Sequence, residues 1–265
     1  MQTQTLPNTI DGVILRLEEI IRDCVQRGDR AGYFAALYHR VTVAVRDGIA
    51  KGRFDDGPRM ERLDVIFANR YLAAYDLFRS GELPSRSWLR AFCAEDDGRL
   101  IVLQHLLAGM NAHINLDLGI AAARVAPGAK LAALLGDFNR INQLLAQLTP
   151  VVEQRLDGIS PVFGVLSSLA PKLELKMIGF SMDRARAEAW ALAQRLAPLP
   201  QAEQLKVIAA RDLEVALIAD VVLNDGLLVR AIRREEHTDV RANIQALCDG
   251  SFRVRIAPTI LAPQN

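Results

Sequence analysis

The sequence predicts an all-α protein, a single multi-helix bundle packed around a buried central helix. Three observations carry that expectation. Apolar residues recur at spacings of three and four along most of the 265-residue chain, the period of one helix face. The strong helix formers Ala and Leu are abundant throughout. One 23-residue run, Ile101 to Ala123, holds only three ionisable side chains, His105, His113 and Asp117, as a helix enclosed by other helices would. With 51% hydrophobic and 24% charged residues, the chain suits one large domain with a sizeable core.

Helices are expected near 10–27, 31–50, 59–80, 86–94, 100–124, 130–155, 182–197, 202–224 and 227–248. The first ends at Gly28. The second buries Phe34, Tyr38, Thr42, Val45 and Ile49 and ends at Gly52. After Gly57-Pro58 the third carries the stripe Met60, Phe67, Tyr71, Tyr75 and Phe78, and runs to the break Gly81 to Pro84. The fourth stops before Asp96-Asp97-Gly98, and the central helix stops before Pro127-Gly128. The sixth shows Leu131, Leu134, Leu135, Phe138 and Leu145 on one side and closes near Asp157-Gly158. In 202–224 the apolar side is Val207, Ala210, Leu217, Ile218 and Val221. Ser160 to Phe180 is apolar and bracketed by Pro161 and Pro171. It reads as a short helix and connector, with a lid or partner-docking surface as the alternative. Phe252, Val254 and Ile256 alternate with polar residues, which gives one short strand or an extended tail. The bundle is one domain over 1–265, with a looser division near 158 into a core bundle, 1–158, and C-terminal helices, 159–265.

Composition removes several function classes. Thirty-two basic residues against 31 acidic give a net charge of +1, without the electrostatic footprint of a nucleic-acid binder. Pro171, Lys172, Glu174 and Lys176 interrupt the apolar segment far short of a span. Gln104, Asn111, Asn115 and Asp117 make a span costly in the central helix, so no membrane span is expected. Cys24, Cys93 and Cys248 are isolated and odd in number, and the N-terminus has no basic segment followed by an apolar run. A reducing, cytoplasmic location is therefore expected. There is no GxGxxG, Walker A loop, GxSxG, HExxH or Glu-x-x-His pair. Apolar faces on nearly every helix permit a homo-oligomer.

The chemistry concentrates in the central helix. At about 100° per residue His113 and Asp117 share one stripe, one turn apart, while Gln104, Asn111 and Asn115 form a second polar stripe roughly opposite. Each stripe needs partners on neighbouring helices. A His and an Asp at this spacing can bind a divalent metal through imidazole nitrogen and carboxylate oxygen. They can equally form a pair in which Asp117 orients His113 as a general base, or a hydrogen bond that only locks two helices. His105 lies roughly 80° from His113 around the helix and so outside one ligand set. Asp64 falls within the apolar stripe of its helix and should face the interior, where a lone carboxylate needs a cation, a donor or a proton. It is the expected third member, in catalysis or as a metal ligand. Glu214 is similarly placed. Tyr38, Thr42, Tyr71, Asn111, Asn115 and Asn142 interrupt apolar faces, which suggests one shared interior polar pocket. His237, among charges, is expected on the surface.

The runs YHRVT at 38–42, GRFDDGPRMERLDVIFANRYLAAY at 52–75, LLAGMNAHINLDLGIA at 106–121 and DFNRIN at 137–142 resemble a family of all-helical bacterial proteins known only as a domain of unknown function. RARAEAWALAQRL at 184–196 matches more weakly. The resemblance implies the fold and brings no activity with it. The HxxxD pair is also similar to that of the zinc-dependent phospholipases C and related single-strand nucleases, in which such a pair on a buried helix binds metal. Those enzymes have a further His soon after the Asp and use an N-terminal tryptophan amine. Here LGIAAARVA follows Asp117, the chain has four His and begins Met-Gln. A trinuclear zinc site does not fit, and what the similarity leaves is one divalent ion on His113, Asp117 and Asp64. The expected function is thus an enzyme on a small molecule, a metal-dependent hydrolase if a metal is present. The alternative is a non-catalytic ligand-binding or interaction protein whose His–Asp pair is structural.

Overall fold

The computed structural model describes residues 5–161 and 181–248, which contain ten α-helices and no strand. The helices are α1 (Ile10–Arg27), α2 (Ala31–Ala50), α3 (Gly57–Arg79), α4 (Arg86–Cys93), α5 (Val102–Val125), α6 (Leu131–Ile159), α7 (Met182–Leu196), α8 (Gln201–Val222), α9 (Leu227–Glu235) and α10 (Val240–Leu247). Side chains close several N-termini: Thr9 accepts the Gly12 N–H, Asp56 that of Arg59, and Asp239 those of Arg241 and Ala242. Gly28, at φ 67°, ends α1 in the left-handed conformation that glycine adopts without strain. No single described helix is long and apolar enough to cross a membrane.

Helix α5 is the buried centre. It packs against α2, α3, α4, α7 and α8, while α1 lies on α2 and α10 covers α1, α2 and α6. Two glycines let α5 approach its neighbours closely. A Cβ on Gly109 would stand 2.5 Å from the Phe34 ring on α2, and one on Gly119 would stand 2.6 Å from the Ala189 carbonyl oxygen on α7. Between them the backbone widens into a π turn, His113–Leu118, buried throughout. The polar stripe Gln104, Asn111 and Asn115 fastens α5 to α8 and the turn after it. Gln104 donates to the carbonyls of Val222 and Asn224, Asn111 donates to that of Val215, and Asn115 donates to Asn111 Oδ1.

Several expectations are corrected. The helix expected over 227–248 is two, because Glu236 leaves the helix to accept the Val102 N–H and Asp239 then caps α10. Helix α6 continues past Asp157-Gly158 to Ile159 with Pro150 inside it. On α8 the inward side is Asp212, Val215, Ala216, Ala219 and Val222, so Glu214, Leu217 and Val221 are exposed. Asp212 sets this rotation by accepting the Arg86 and Ser87 N–H groups at the start of α4. On α6 the buried polar residue is Asp137, and Asn142 is exposed. Asp137 accepts the N–H groups of Asp55 and Asp56 and the guanidinium of Arg59, which ties α6 to the start of α3. Of the connector expected over Ser160 to Phe180, residues 162–180 lie outside the described residues, as does the strand or tail at 252–256.

Candidate functional site

Asp117 lies in the π turn of α5 with its side chain fully buried. A carboxylate there must be matched by donors or a cation, and three neighbours supply them. Arg70 Nε on α3 donates to Oδ1 at 2.5 Å, and Trp88 Nε1 on α4 donates to Oδ2 at 2.8 Å. His113 Nδ1 lies 3.3 Å from Oδ2. Burial pushes the Asp117 carboxyl up, but Arg70, His113 and Trp88 outweigh it and leave the group below the usual carboxylate range. It is an anion with a partner on each oxygen.

His113 is enclosed by rings. Phe67 stacks on it at 3.5 Å and 9°, and the Tyr38 ring meets it edge-on at 4.5 Å. Phe34, Trp88 and Tyr71 complete the enclosure at 5.7, 5.9 and 6.2 Å, and the side chain is 3% exposed. Burial holds the imidazole below its ordinary pKa against the pull of Asp117. The neutral ring that results donates through Nδ1 to Asp117, and Nε2 has no hydrogen-bond partner among the described residues. A general base needs a path to a substrate proton. This ring faces aromatic carbon on its open sides.

The other expected residues separate into groups. Tyr38 and Tyr71 do belong to the His113 enclosure. Thr42 is buried one turn beyond Tyr38 and donates to its carbonyl. Asp64 is buried on α3, one turn before Phe67, and burial, then Glu61, pushes its carboxyl up to about 7. Its Oδ2 has no hydrogen-bond partner among the described residues. Asn111 and Asn115 face α8, and Asn142 faces solvent, so the single shared pocket is not formed. His105 packs on Tyr33, and His237 is exposed as expected. Among the described residues no three His, Cys, Asp or Glu side chains group to hold a metal ion. His113, Asp117 and Asp64 do not form such a group.

What opens to solvent is the outer side of the same anchor. Helices α3, α4 and the end of α5 frame a cleft of about 430 Å³, within the ~300–1,000 Å³ usual for small-molecule sites. Arg70 and Trp88 form part of its wall, with Arg124 from the end of α5. Ile66, Ala73, Ala74, Leu77 and Pro84 supply apolar surface. Asn69 donates to the Pro7 carbonyl, which brings Leu6 to the rim. Sequence reasoning singled out none of Arg70, Trp88 or Arg124. The available signal was electrostatic: a lone carboxylate in an uncharged helix demands a cation, and Arg70 follows the inward-facing Phe67 by three residues.

The fold and site define a class, an all-helical protein with a sealed His–Asp pair beneath an arginine-bearing cleft. The chain matches a family of unknown function (DUF5995) over residues 10–225, and it belongs to that family. No curated protein and no solved structure matches it.

Proposed function

We propose that the protein binds a small organic molecule in the cleft between α3, α4 and α5, and that the His113–Asp117 pair is the structural anchor of that cleft. One observation carries the reading. Of the three donors on Asp117, two, Arg70 and Trp88, are cleft wall, and the third, His113, is sealed under five rings. The carboxylate therefore fixes Arg70, which a ligand would touch, and Trp88, which is 1% exposed and backs the wall. Such fixing is how a binding site gains preorganisation. Hydrolysis through a metal on His113, Asp117 and Asp64 has no convergent donor set to support it.

The test is to fill the cleft without disturbing the anchor. Ala73 lines the cleft and is half-buried, so Ala73→Phe should occupy the space while Asp117, Arg70 and Trp88 stay in place. A small-molecule library screened by thermal shift should give hits on the wild type that vanish in Ala73→Phe. Hits that persist unchanged in the variant would place binding elsewhere and refute the reading.

A further inference from the structure

The cleft has an unbalanced charge. Two guanidinium groups, Arg70 and Arg124, line it, and no acidic side chain does. Asp117 reaches Arg70 from beneath through Nε, and the terminal nitrogens of Arg70 have no acceptor among the described residues. Arg124 has no hydrogen-bond or ion-pair partner among them. The two cations also feel each other: burial, then the charge of Arg70, holds the Arg124 guanidinium below its ordinary pKa, with Asp117 opposing. Like charges left facing one cleft favour an anion between them, and guanidinium suits carboxylate and phosphate oxygens because it presents several N–H groups in one plane. The rest of the wall is apolar. Trp88 contributes only its ring, since its N–H is committed to Asp117.

Building on the binding reading above, we propose that the cleft takes an amphipathic organic anion. A single terminal head, a carboxylate or a phosphate monoester, is held between Arg70 and Arg124. The apolar body lies along Ile66, Ala73 and Leu77, with the Trp88 ring, 1% exposed, directly behind them.

The chain has two tryptophans, Trp88 and Trp190, and Trp190 packs against Phe138 and does not line the cleft. In a Trp190→Phe background, Trp88 emission reports on the cleft alone. The probes are decanoate, decyl phosphate, decanol and inorganic phosphate, each below any micelle concentration and with calorimetry beside the fluorescence. The expected result is that at least one of the two anionic amphiphiles binds tenfold or more tightly than decanol. Arg124→Ala, a change at an exposed side chain, should bring that ratio close to one and leave decanol unchanged. Whether decanoate or decyl phosphate binds better identifies the head group. Decanol matching both anions, or an anion preference that survives Arg124→Ala, overturns this proposal and leaves the binding reading standing. Inorganic phosphate binding as tightly as decyl phosphate overturns the apolar body. No binding by any probe, with Trp88 emission unmoved, overturns the proposal and counts against the binding reading with it.

Discussion

Replacing Asp117 by Asn removes the charge beneath the cleft and keeps the side chain's volume. The carboxylate accepts from Arg70 and Trp88 on separate oxygens. An amide keeps one acceptor and turns an NH2 toward the other donor. One hydrogen bond to a charged group, ~1.5–3 kcal/mol, is lost and a donor is left facing a donor. Removing one partner of a buried ion pair costs ~3–5 kcal/mol in all. The Arg70 side chain is 21% exposed at the cleft, so its freed guanidinium rehydrates, and we expect a loss near the lower end, about 3 kcal/mol. At ~2–4 °C per kcal/mol for a domain approaching this size, the melting temperature should fall by roughly 6–12 °C. Thermal and urea unfolding of wild type, Asp117→Asn, Arg70→Gln and the double variant make the assay. The double variant should recover part of the loss, because the two changes remove one interaction. A fall below about 1 kcal/mol, or strict additivity, would refute the anchoring role.

Three further outcomes follow from the same geometry. His113→Phe should cost ~1.5–3 kcal/mol in urea unfolding, the loss of the Nδ1 hydrogen bond to the Asp117 carboxylate, since the new ring suits the aromatic enclosure, whereas His113→Ala should cost ~3–5 kcal/mol through the cavity it leaves as well. Asp64, whose folded carboxyl is pushed up to about 7, keeps its proton where the unfolded chain has lost it. Its ionisation costs stability above about pH 7, and the cost fades as pH falls toward 4. Asp64→Asn should therefore be more stable than wild type at pH 8, by up to ~4 kcal/mol for roughly three pH units, and equal to it near pH 4. Taking the difference between variant and wild type isolates this from His105 and His113. Both have lowered pKa values and act in the opposite sense, losing stability as pH drops below 6.5. An unchanged difference across that range would remove the buried-acid account. Gly109→Ala should cost ~1–3 kcal/mol by forcing α5 off Phe34, and a neutral result would show that the crossing can give way.

The all-helical fold was legible because one physical signal, apolar spacing, dominates each helix, and α1 and α2 have the expected ends. The central helix was legible because an almost uncharged run of that length has no soluble alternative to enclosure. The rotation of α8 was not. That helix is apolar on both sides, and a buried cap, Asp212 on the start of α4, chooses between them. The split after α9 depends on Glu236 reaching the Val102 N–H, a contact 134 residues away in sequence. The candidate site shows the same limit. The sequence marked Asp64 as a carboxylate that needed a cation, a donor or a proton, and Asp117 as half of a polar stripe that needed partners on neighbouring helices. It could not say which partner each takes. Asp117 receives a guanidinium and an indole N–H, and Asp64 keeps a proton up to about pH 7. The partners come from α3 and α4, so the answer lies in tertiary packing.

The central claim is that Asp117 belongs to Arg70 and Trp88 as the anchor of a cleft. The most direct test is the NMR spectrum of the Trp88 indole and Arg70 side-chain N–H groups, followed through hydrogen exchange and a zinc titration. The account predicts a Trp88 Nε1–H protected from exchange, lost from protection in Asp117→Asn, and unmoved by added zinc or by chelator. Rapid exchange in the wild type, or zinc-induced shifts at His113 and Trp88, would contradict it.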